Sequence, residues 1–211
     1  GHRFEFFPAV SAGWVASSEN FWEPISKYIN HFKIRGSYGL VGSDAFASGA
    51  PHFLYQNNIG IGSAHNFWTG LPTSEISKKG PGFYVLAVQD AGWEHVKKFD
   101  IGFDMMLFNQ LNITFDYFHD KRERILMSRA SWPSMLGYWG SKPWSNIGEV
   151  ENQGFELSLN WTKQFGKDLT LDLRGNFTYN QNEYKYVDEP SYPYVWQTNT
   201  GKPLNTVKGY I

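Results

Sequence analysis

Four segments of the chain alternate apolar and polar residues with a period of two, and each is long enough to cross a membrane. The clearest segment spans residues 99–107, and a second, 111–117, follows after only Asn109 and Gln110. Two further segments, within 155–162 and 169–180, have the same pattern. Successive side chains of a strand point to opposite faces. Each segment therefore predicts a strand with one apolar, aromatic face and one acidic or amide face.

The alternation predicts strands over most of the chain, joined by connections of unequal length. The predicted strands are 4–15, 30–40, 93–108, 111–128, 147–163 and 168–183, with short strands at 53–59 and 83–89. The shorter connections are 16–29, 109–110 and 164–167, and the long loops are 41–92, 129–146 and 184–209. If the strands run up and down in chain order, all the long loops lie at one end. Short turns at one end and long loops at the other are typical of outer-membrane barrels.

Two architectures fit an alternating sheet, and they place the apolar face differently. A soluble sandwich buries that face under a second sheet, whereas a membrane barrel exposes it to lipid and turns the polar face to an aqueous lumen. The sandwich predicts a shared protein core for Phe99, Phe103, Phe115, Leu157 and Leu171, and the barrel predicts that they face outward. The charged residues of the polar faces are Asp100, Asp104, Asp116, Glu156, Asp172 and Arg174. Because unpaired charges are costly in a packed core, we favour the barrel and expect these residues to line its lumen.

Composition narrows the function classes. The 211 residues carry a net charge of −1, which argues against a nucleic-acid-binding protein. The chain has no cysteine, so disulfides and cysteine-based metal or redox sites are excluded. No run of 18 apolar residues predicts a transmembrane helix. Aromatic residues make up 18% of the chain. Those near strand ends are candidates for the interfacial girdles of a barrel: Trp14, Phe108, Trp161, Phe165 and Tyr179.

Six blocks of sequence, spread over nearly the whole chain, carry a family resemblance. They are FPAVSAGW (7–14), FKIRGSYGLVG (32–42), GWE (92–94), FDIGFD (99–104), LNITFDYF (111–118) and, most specific, NIGEVENQGFEL (146–157). In this order they resemble the C-terminal part of the barrel of SusC/RagA-type TonB-dependent transporters of the Bacteroidetes outer membrane.

The resemblance implies an antiparallel up-and-down barrel of 22 strands with an N-terminal plug. Residues 1–211 would then be one partial barrel domain of about six to eight strands, with the plug and the closing strand outside it. The implied activity is outer-membrane import of a bulky nutrient, a glycan or a peptide. The implied partners are a SusD-like surface lipoprotein, the TonB complex acting through parts outside this chain, and membrane lipid.

No catalytic or metal-binding pattern is found in the sequence. The 6 histidines lack HExxH spacing, and no GxSxG motif is present. Asp100 and Asp104 would lie about 13 Å apart along one strand face, at roughly 3.3 Å per residue. An outer-membrane enzyme barrel would need a converging nucleophile and base. We therefore predict no enzymatic activity, no cofactor and no metal site.

Aromatic residues of the long loops are the candidates for ligand contact. They are Trp68, Trp132, Tyr138, Trp139 and Trp144. Sugar rings can stack on such faces, and the same residues can instead pack the loops or anchor a protein interface. If they contact substrate, replacing Trp139 and Trp144 by alanine weakens binding. The alternative function is that of a soluble or surface-anchored β-sandwich that binds carbohydrate through these loops.

Overall fold

Eight antiparallel strands account for most of the residues described by the structure, a computed structural model. It describes residues 4–44, 50, 52–69, 76–88, 91–133, 135 and 142–209. The strands are β1 (Ala9–Val15), β2 (Ile29–Ser43), β3 (Asn58–Thr69), β4 (Ile76–Val85), β5 (Glu94–Leu107), β6 (Leu111–Ser128), β7 (Trp144–Phe165) and β8 (Leu169–Tyr186). Short 3-10 helices span Ala16–Ser18, Asn20–Ile25 and Val195–Gln197. No helix within the described ranges is both long and apolar enough to span a bilayer.

Six of the strands form one sheet in the order β1-β2-β5-β6-β7-β8, and β3 and β4 form a separate hairpin. Every pairing is antiparallel, and apart from the hairpin each strand lies beside its predecessor along the chain. This arrangement confirms the predicted all-β, up-and-down fold. The sheet is not closed, since β1 and β8 are its two edges.

The strand ends differ from the predicted ones where the alternation is interrupted. The first strand begins at Ala9 rather than at residue 4, because Pro8 has no backbone N–H to donate. The Pro8 carbonyl still accepts a hydrogen bond of 2.8 Å from the Leu40 amide. The predicted strands 53–59 and 83–89 are displaced from β3 and β4. A turn closed by the Gln56 amide and the Phe53 carbonyl, 3.0 Å apart, occupies part of the first.

The short turns contain residues with positive φ, which the sequence analysis did not predict. Phe108 and Asn109 have positive φ values of 53° and 52°, and the Gln110 amide donates to the Leu107 carbonyl at 2.9 Å. In the turn between β7 and β8, Gly166 has φ 70°, a conformation that costs glycine little. Both turns keep the neighbouring strands in continuous register.

The apolar face of the sheet is open in the described part of the chain. One cross-strand row of this face consists of Ile34, Phe103, Phe115, Leu157 and Phe177. Phenyl rings contact one another along this face, with centroids 5.5 Å apart for Phe103 and Phe115. Phe99 and Leu171 remain 39% and 40% exposed, and no second layer among the described residues covers them. The sandwich interpretation, which required a buried core here, is wrong.

Candidate functional site on the polar face of the sheet

The six charged residues predicted for the polar face all lie on one face of the sheet. Directly paired residues of neighbouring strands share a face, and so do alternate residues of one strand. Asp116 pairs with Glu156, and Asp172 pairs with Thr162 of the same face. Asp100 and Asp104 of β5 lie beside this row. That this face lines a lumen stays a prediction at this point.

Three of the six residues converge on a cation that the sequence analysis did not include among its site residues, Arg35 of β2. Its Nη2 lies 2.7 Å from the Asp116 carboxylate, its Nε 3.3 Å from Asp104 and its Nη1 3.8 Å from Asp100. Thr114 donates a further hydrogen bond of 3.2 Å to Asp104. We call Arg35, Asp100, Asp104 and Asp116 the Arg35 cluster.

A glycine makes the Arg35 cluster possible. Gly102 stands directly between Arg35 and Asp116 in the cross-strand register. A Cβ atom at this position would lie 2.1 Å from Asp116 Oδ1 and 2.5 Å from the Phe115 carbonyl oxygen. The guanidinium therefore reaches across β5 only because residue 102 has no side chain.

The Arg35 cluster carries a surplus of negative charge. Three carboxylates surround one guanidinium, and Glu156 adds a fourth next to Asp116. Lys33, which pairs with Asp104 in the cross-strand register, adds a second positive charge. The Arg35 side chain is 32% exposed, so its ion pairs stabilise the sheet modestly. Their main consequence is a negative potential on this face.

The two predicted charges on β8 lie apart from the cluster. Asp172 and Arg174 lie on β8 and pair with each other at 2.9 Å. Alternation alone places Arg35 on the polar face beside Lys33 and Ser37. This pattern was the sequence signal that could have identified Arg35 as a site residue. The pairing of β2 with β5 decides which carboxylates Arg35 contacts. The pattern of residues within a single strand does not predict this pairing.

At the long-loop end of the sheet, the carboxylate of Asp188 joins two loops. It is buried and accepts hydrogen bonds from the Ser131 amide at 3.1 Å and the Ser131 hydroxyl at 2.8 Å. Arg129 Nε lies 3.2 Å away. Burial raises the pKa of Asp188, but the bonds from Ser131 and Arg129 outweigh it and hold the pKa below its ordinary value.

The carboxylate of Glu189 closes the loop that follows β8. It accepts hydrogen bonds from the amides of Asn199 and Thr200 at 2.7 and 2.9 Å. Burial alone would raise the pKa of Glu189, but these hydrogen bonds outweigh burial, and the pKa lies below its ordinary value. The loop is thus held from inside by an ionised side chain.

The loop aromatics occupy different environments. Trp68 lies on β3 and is 65% exposed. Trp132 and Trp144 are half-buried, and Trp144 begins β7 opposite Ser128. Tyr138 and Trp139 lie outside the described residues. The sequence analysis did not single out Tyr194 and Trp196, which are exposed and stacked with centroids 6.0 Å apart and planes 15° apart.

Two histidines of the strands contact carboxylates. His119 contacts Glu151, and His95 Nε2 lies 3.0 Å from Glu5. Across the described ranges, no group of three or more histidine, cysteine or acidic side chains is arranged to hold a metal ion.

Comparisons with known proteins all point to one family. The description "TonB dependent receptor-like, beta-barrel" matches residues 2–210. TonB-dependent receptor P3 of Formosa agariphila is 30% identical over 86% of this chain and 17% of its own length. TonB-dependent receptor SusC of Bacteroides thetaiotaomicron is 26% identical over 86% of this chain and 17% of its own length. The chain thus spans about a sixth of the length of these relatives.

A solved structure has the same fold. The RagAB peptide importer in its open-open state superposes with a TM-score of 0.63 at 21% identity, over 86% of this chain and 18% of that one. The open sheet found here therefore corresponds to part of a larger barrel. The resemblance to SusC/RagA-type transporters is confirmed, and the chain belongs to the TonB-dependent receptor-like β-barrel family.

Proposed function

We propose that this chain forms part of the wall of an outer-membrane importer that takes up a bulky nutrient, a glycan or a peptide, with energy from the TonB complex. The observation that carries the proposal is the opposite character of the two sheet faces. One face holds the Arg35 cluster, and the other is apolar and open across the six hydrogen-bonded strands. A sheet with water on one side and lipid on the other needs this division.

The height of the apolar face supports contact with lipid. On β8 it extends from Leu169 to Tyr179. At about 3.3 Å per residue and a strand tilt of roughly 35–45°, this length rises about 25 Å, close to the apolar band of outer-membrane barrels. Toward the long loops the same face becomes charged, with Lys97, Lys121 and Glu151 in one cross-strand row. We assign this change to the boundary between hydrocarbon and headgroups.

The polar face would line the passage for the nutrient. Asp100, Asp104, Asp116, Glu156, Asp172 and Arg174 would all contact lumen water. Their carboxylates and the bound guanidinium suit a hydrated, polar permeant better than an apolar one. The wall would act by shape and electrostatics, without enzymatic chemistry.

The long loops would lie outside the cell and contact the substrate and a SusD-like lipoprotein. The loop segments around Asp188 and Glu189 are held by ionised side chains, so they present fixed surfaces. Among the exposed aromatic residues of the predicted long loops, we select Trp68, Tyr194 and Trp196 as candidates for ring stacking. Trp132 and Trp144, being half-buried, suit loop packing better.

Neighbouring residues on opposite faces test the orientation. In the full-length transporter we expect Phe115→Arg to cost about 2–4 kcal/mol of folding free energy in lipid vesicles, because it places a charge in hydrocarbon. Thr114→Arg is the control, since it adds the same charge to the acidic polar face. Denaturant titration in vesicles measures both. Equal costs, or a larger cost for Thr114→Arg, would contradict the proposed orientation.

Loop variants test the substrate contact. In the full-length transporter, Trp68→Ala and Trp196→Ala are expected to weaken binding, whereas Trp196→Phe, which keeps a ring, should retain most of it. Calorimetric titration with a panel of defined oligosaccharides and oligopeptides measures affinity and decides between glycan and peptide. If all three variants bind with the affinity of the unmodified transporter, these aromatic residues do not contact the substrate and serve only in packing.

A further inference from the structure

The connection between β1 and β2 folds onto the apolar face of the sheet. Trp22, in the 3-10 helix Asn20–Ile25, stacks on Phe32 of β2 with centroids 5.3 Å apart and planes 8° apart. Phe32 pairs with Met105 and lies on the apolar face, where its ring also contacts Phe103. The chain therefore turns toward the outer side of the wall at this point, and away from the polar face.

The outward side of this connection is apolar and uncovered. Phe21 is 62% and Tyr28 57% exposed, and Ile25 is exposed as well. Phe21 contacts Trp14 of β1, and Tyr28 contacts Phe108 of the next turn, each with centroids 6.1 Å apart. The exposed rings thus continue the apolar face around the turn end of the sheet.

Several polar groups of the connection form hydrogen bonds within it. Three backbone amides donate to backbone carbonyls at 2.9–3.0 Å: Trp22 to Glu19, Ser26 to Trp22 and Tyr28 to Ile25. The Trp22 indole N–H donates to the Ile29 carbonyl at 3.0 Å. A segment whose backbone is internally bonded can enter a low-polarity layer without leaving unpaired groups.

The composition of the segment fits one kind of surface. Tryptophan and tyrosine, with an apolar body and a polar tip, prefer the boundary between acyl chains and headgroups. Glu19, Glu23 and Lys27 are exposed on the same segment and can reach water. A segment with apolar rings on one side and charged residues between them is typical of interfacial anchors.

We propose that residues 19–28 are an interfacial anchor that inserts Phe21, Ile25 and Tyr28 into the phospholipid leaflet at the turn end of the barrel. This inference rests on the proposed function, because it requires the apolar face to contact lipid. The anchor would fix the depth of this part of the wall in the bilayer. It adds a lipid contact outside the strands themselves.

Spin labels in the full-length transporter test the anchor. The chain contributes no cysteine, so a label is placed at Phe21→Cys, with Ile25→Cys as a second site, after any cysteine elsewhere in the full-length transporter has been replaced by serine. The protein is reconstituted in vesicles of phosphatidylethanolamine and phosphatidylglycerol. Collision with oxygen, which concentrates in lipid, is compared with collision with a water-soluble nickel chelate. Lys167→Cys, in the exposed turn between β7 and β8, is the aqueous control, and Phe115→Cys reports on the apolar face.

The anchor predicts high oxygen and low nickel accessibility at positions 21 and 25, and the reverse at 167. Nickel accessibility at 21 and 25 equal to that at 167, with position 115 still in lipid, would overturn the anchor and leave the importer orientation intact. Positions 21 and 25 shielded from both reagents would mean that protein covers the segment, which also overturns the anchor. Nickel accessibility at position 115 would instead contradict the proposed function.

Discussion

At the residue scale, the contact between Arg35 and Asp116 on the polar face depends on a glycine, Gly102. Arg35 and Asp116 belong to strands separated by β5, and they meet over Gly102. Any Cβ there would approach the Asp116 carboxylate and the Phe115 carbonyl far closer than normal contact. Position 102 must therefore lack a side chain so that the Arg35 guanidinium can reach the Asp116 carboxylate.

We expect Gly102→Ala to destabilise the full-length barrel by about 1–3 kcal/mol, because the added methyl overpacks the site and separates Arg35 from Asp116. Gly36→Ala is the matched control, since a Cβ at position 36 would meet only the Asp100 carbonyl oxygen at an ordinary 3.6 Å. Denaturant unfolding in lipid vesicles measures both variants. Equal unfolding free energies for the two would argue against this role of Gly102.

The contact between Asp188 and Ser131 should depend on pH. The folded-state pKa of Asp188 is depressed, so its stabilising contribution is present above the ordinary carboxyl pKa and is lost as pH falls through the folded value. At neutral pH, Asp188→Asn should therefore speed hydrogen exchange of the Ser131 amide relative to wild type. The two proteins should converge in acid, below the depressed pKa. A difference between them that is constant with pH would exclude the ionised carboxylate as the cause.

At the element scale, a bulge in β6 accounts for part of the most specific sequence block, which begins at Asn146. The register between β6 and β7 shifts after Arg122, and Arg124 has φ 58°. The Asn146 side chain donates to the Arg124 carbonyl at 2.9 Å and to the Gly92 carbonyl at 3.1 Å, and it accepts from the Gly92 amide at 3.2 Å. One amide side chain thus satisfies the bulge and the segment before β5.

Replacing this side chain should leave backbone groups without partners. We expect Asn146→Ala to cost about 1–3 kcal/mol of stability, and Asn146→Asp, which keeps only the acceptor, to cost a similar amount. Asn176→Ala, an exposed asparagine on β8, is the control and should cost little. Thermal unfolding followed by the change in gel mobility of the full-length barrel ranks the three. A midpoint for Asn146→Ala equal to that of the control would show that the bulge does not need this side chain.

At the scale of the whole molecule, the division of charge between the two faces should appear as ion selectivity. In a variant of the proposed transporter from which the expected N-terminal plug is removed, the acidic polar face should favour cations in the open pore. Replacing Asp100 and Asp104 together by asparagine removes two charges from that face, and the cation preference should fall. The reversal potential across a planar bilayer under a salt gradient measures this.

The control for this experiment removes the same charge from the opposite face. Glu149→Gln combined with Glu151→Gln alters carboxylates that lie beyond the apolar band on the outward side. The reversal potential of this pair should match that of the unmodified pore. Equal shifts for both pairs would mean that the Arg35 cluster does not face the lumen.

Much of the wall could be predicted from the sequence, because alternation is a local property. A strand sends successive side chains to opposite faces whatever its neighbours are. The apolar side of 99–107 and the polar side of 155–162 could therefore be assigned segment by segment. The ends of β3 and β4 were missed, since the Gly- and Asn-rich stretch around them interrupts the period.

The sequence by itself determined the two faces of each strand, the antiparallel fold and the family. Only the tertiary structure decided which residues meet. Arg35 reaches Asp104 and Asp116 across 69 and 81 residues of chain, and β1–β2 folds its aromatic connection outward onto Phe32. Contacts between strands depend on register, turn conformation and the absence of a side chain at Gly102. These are set jointly by several strands, so no local pattern encodes them.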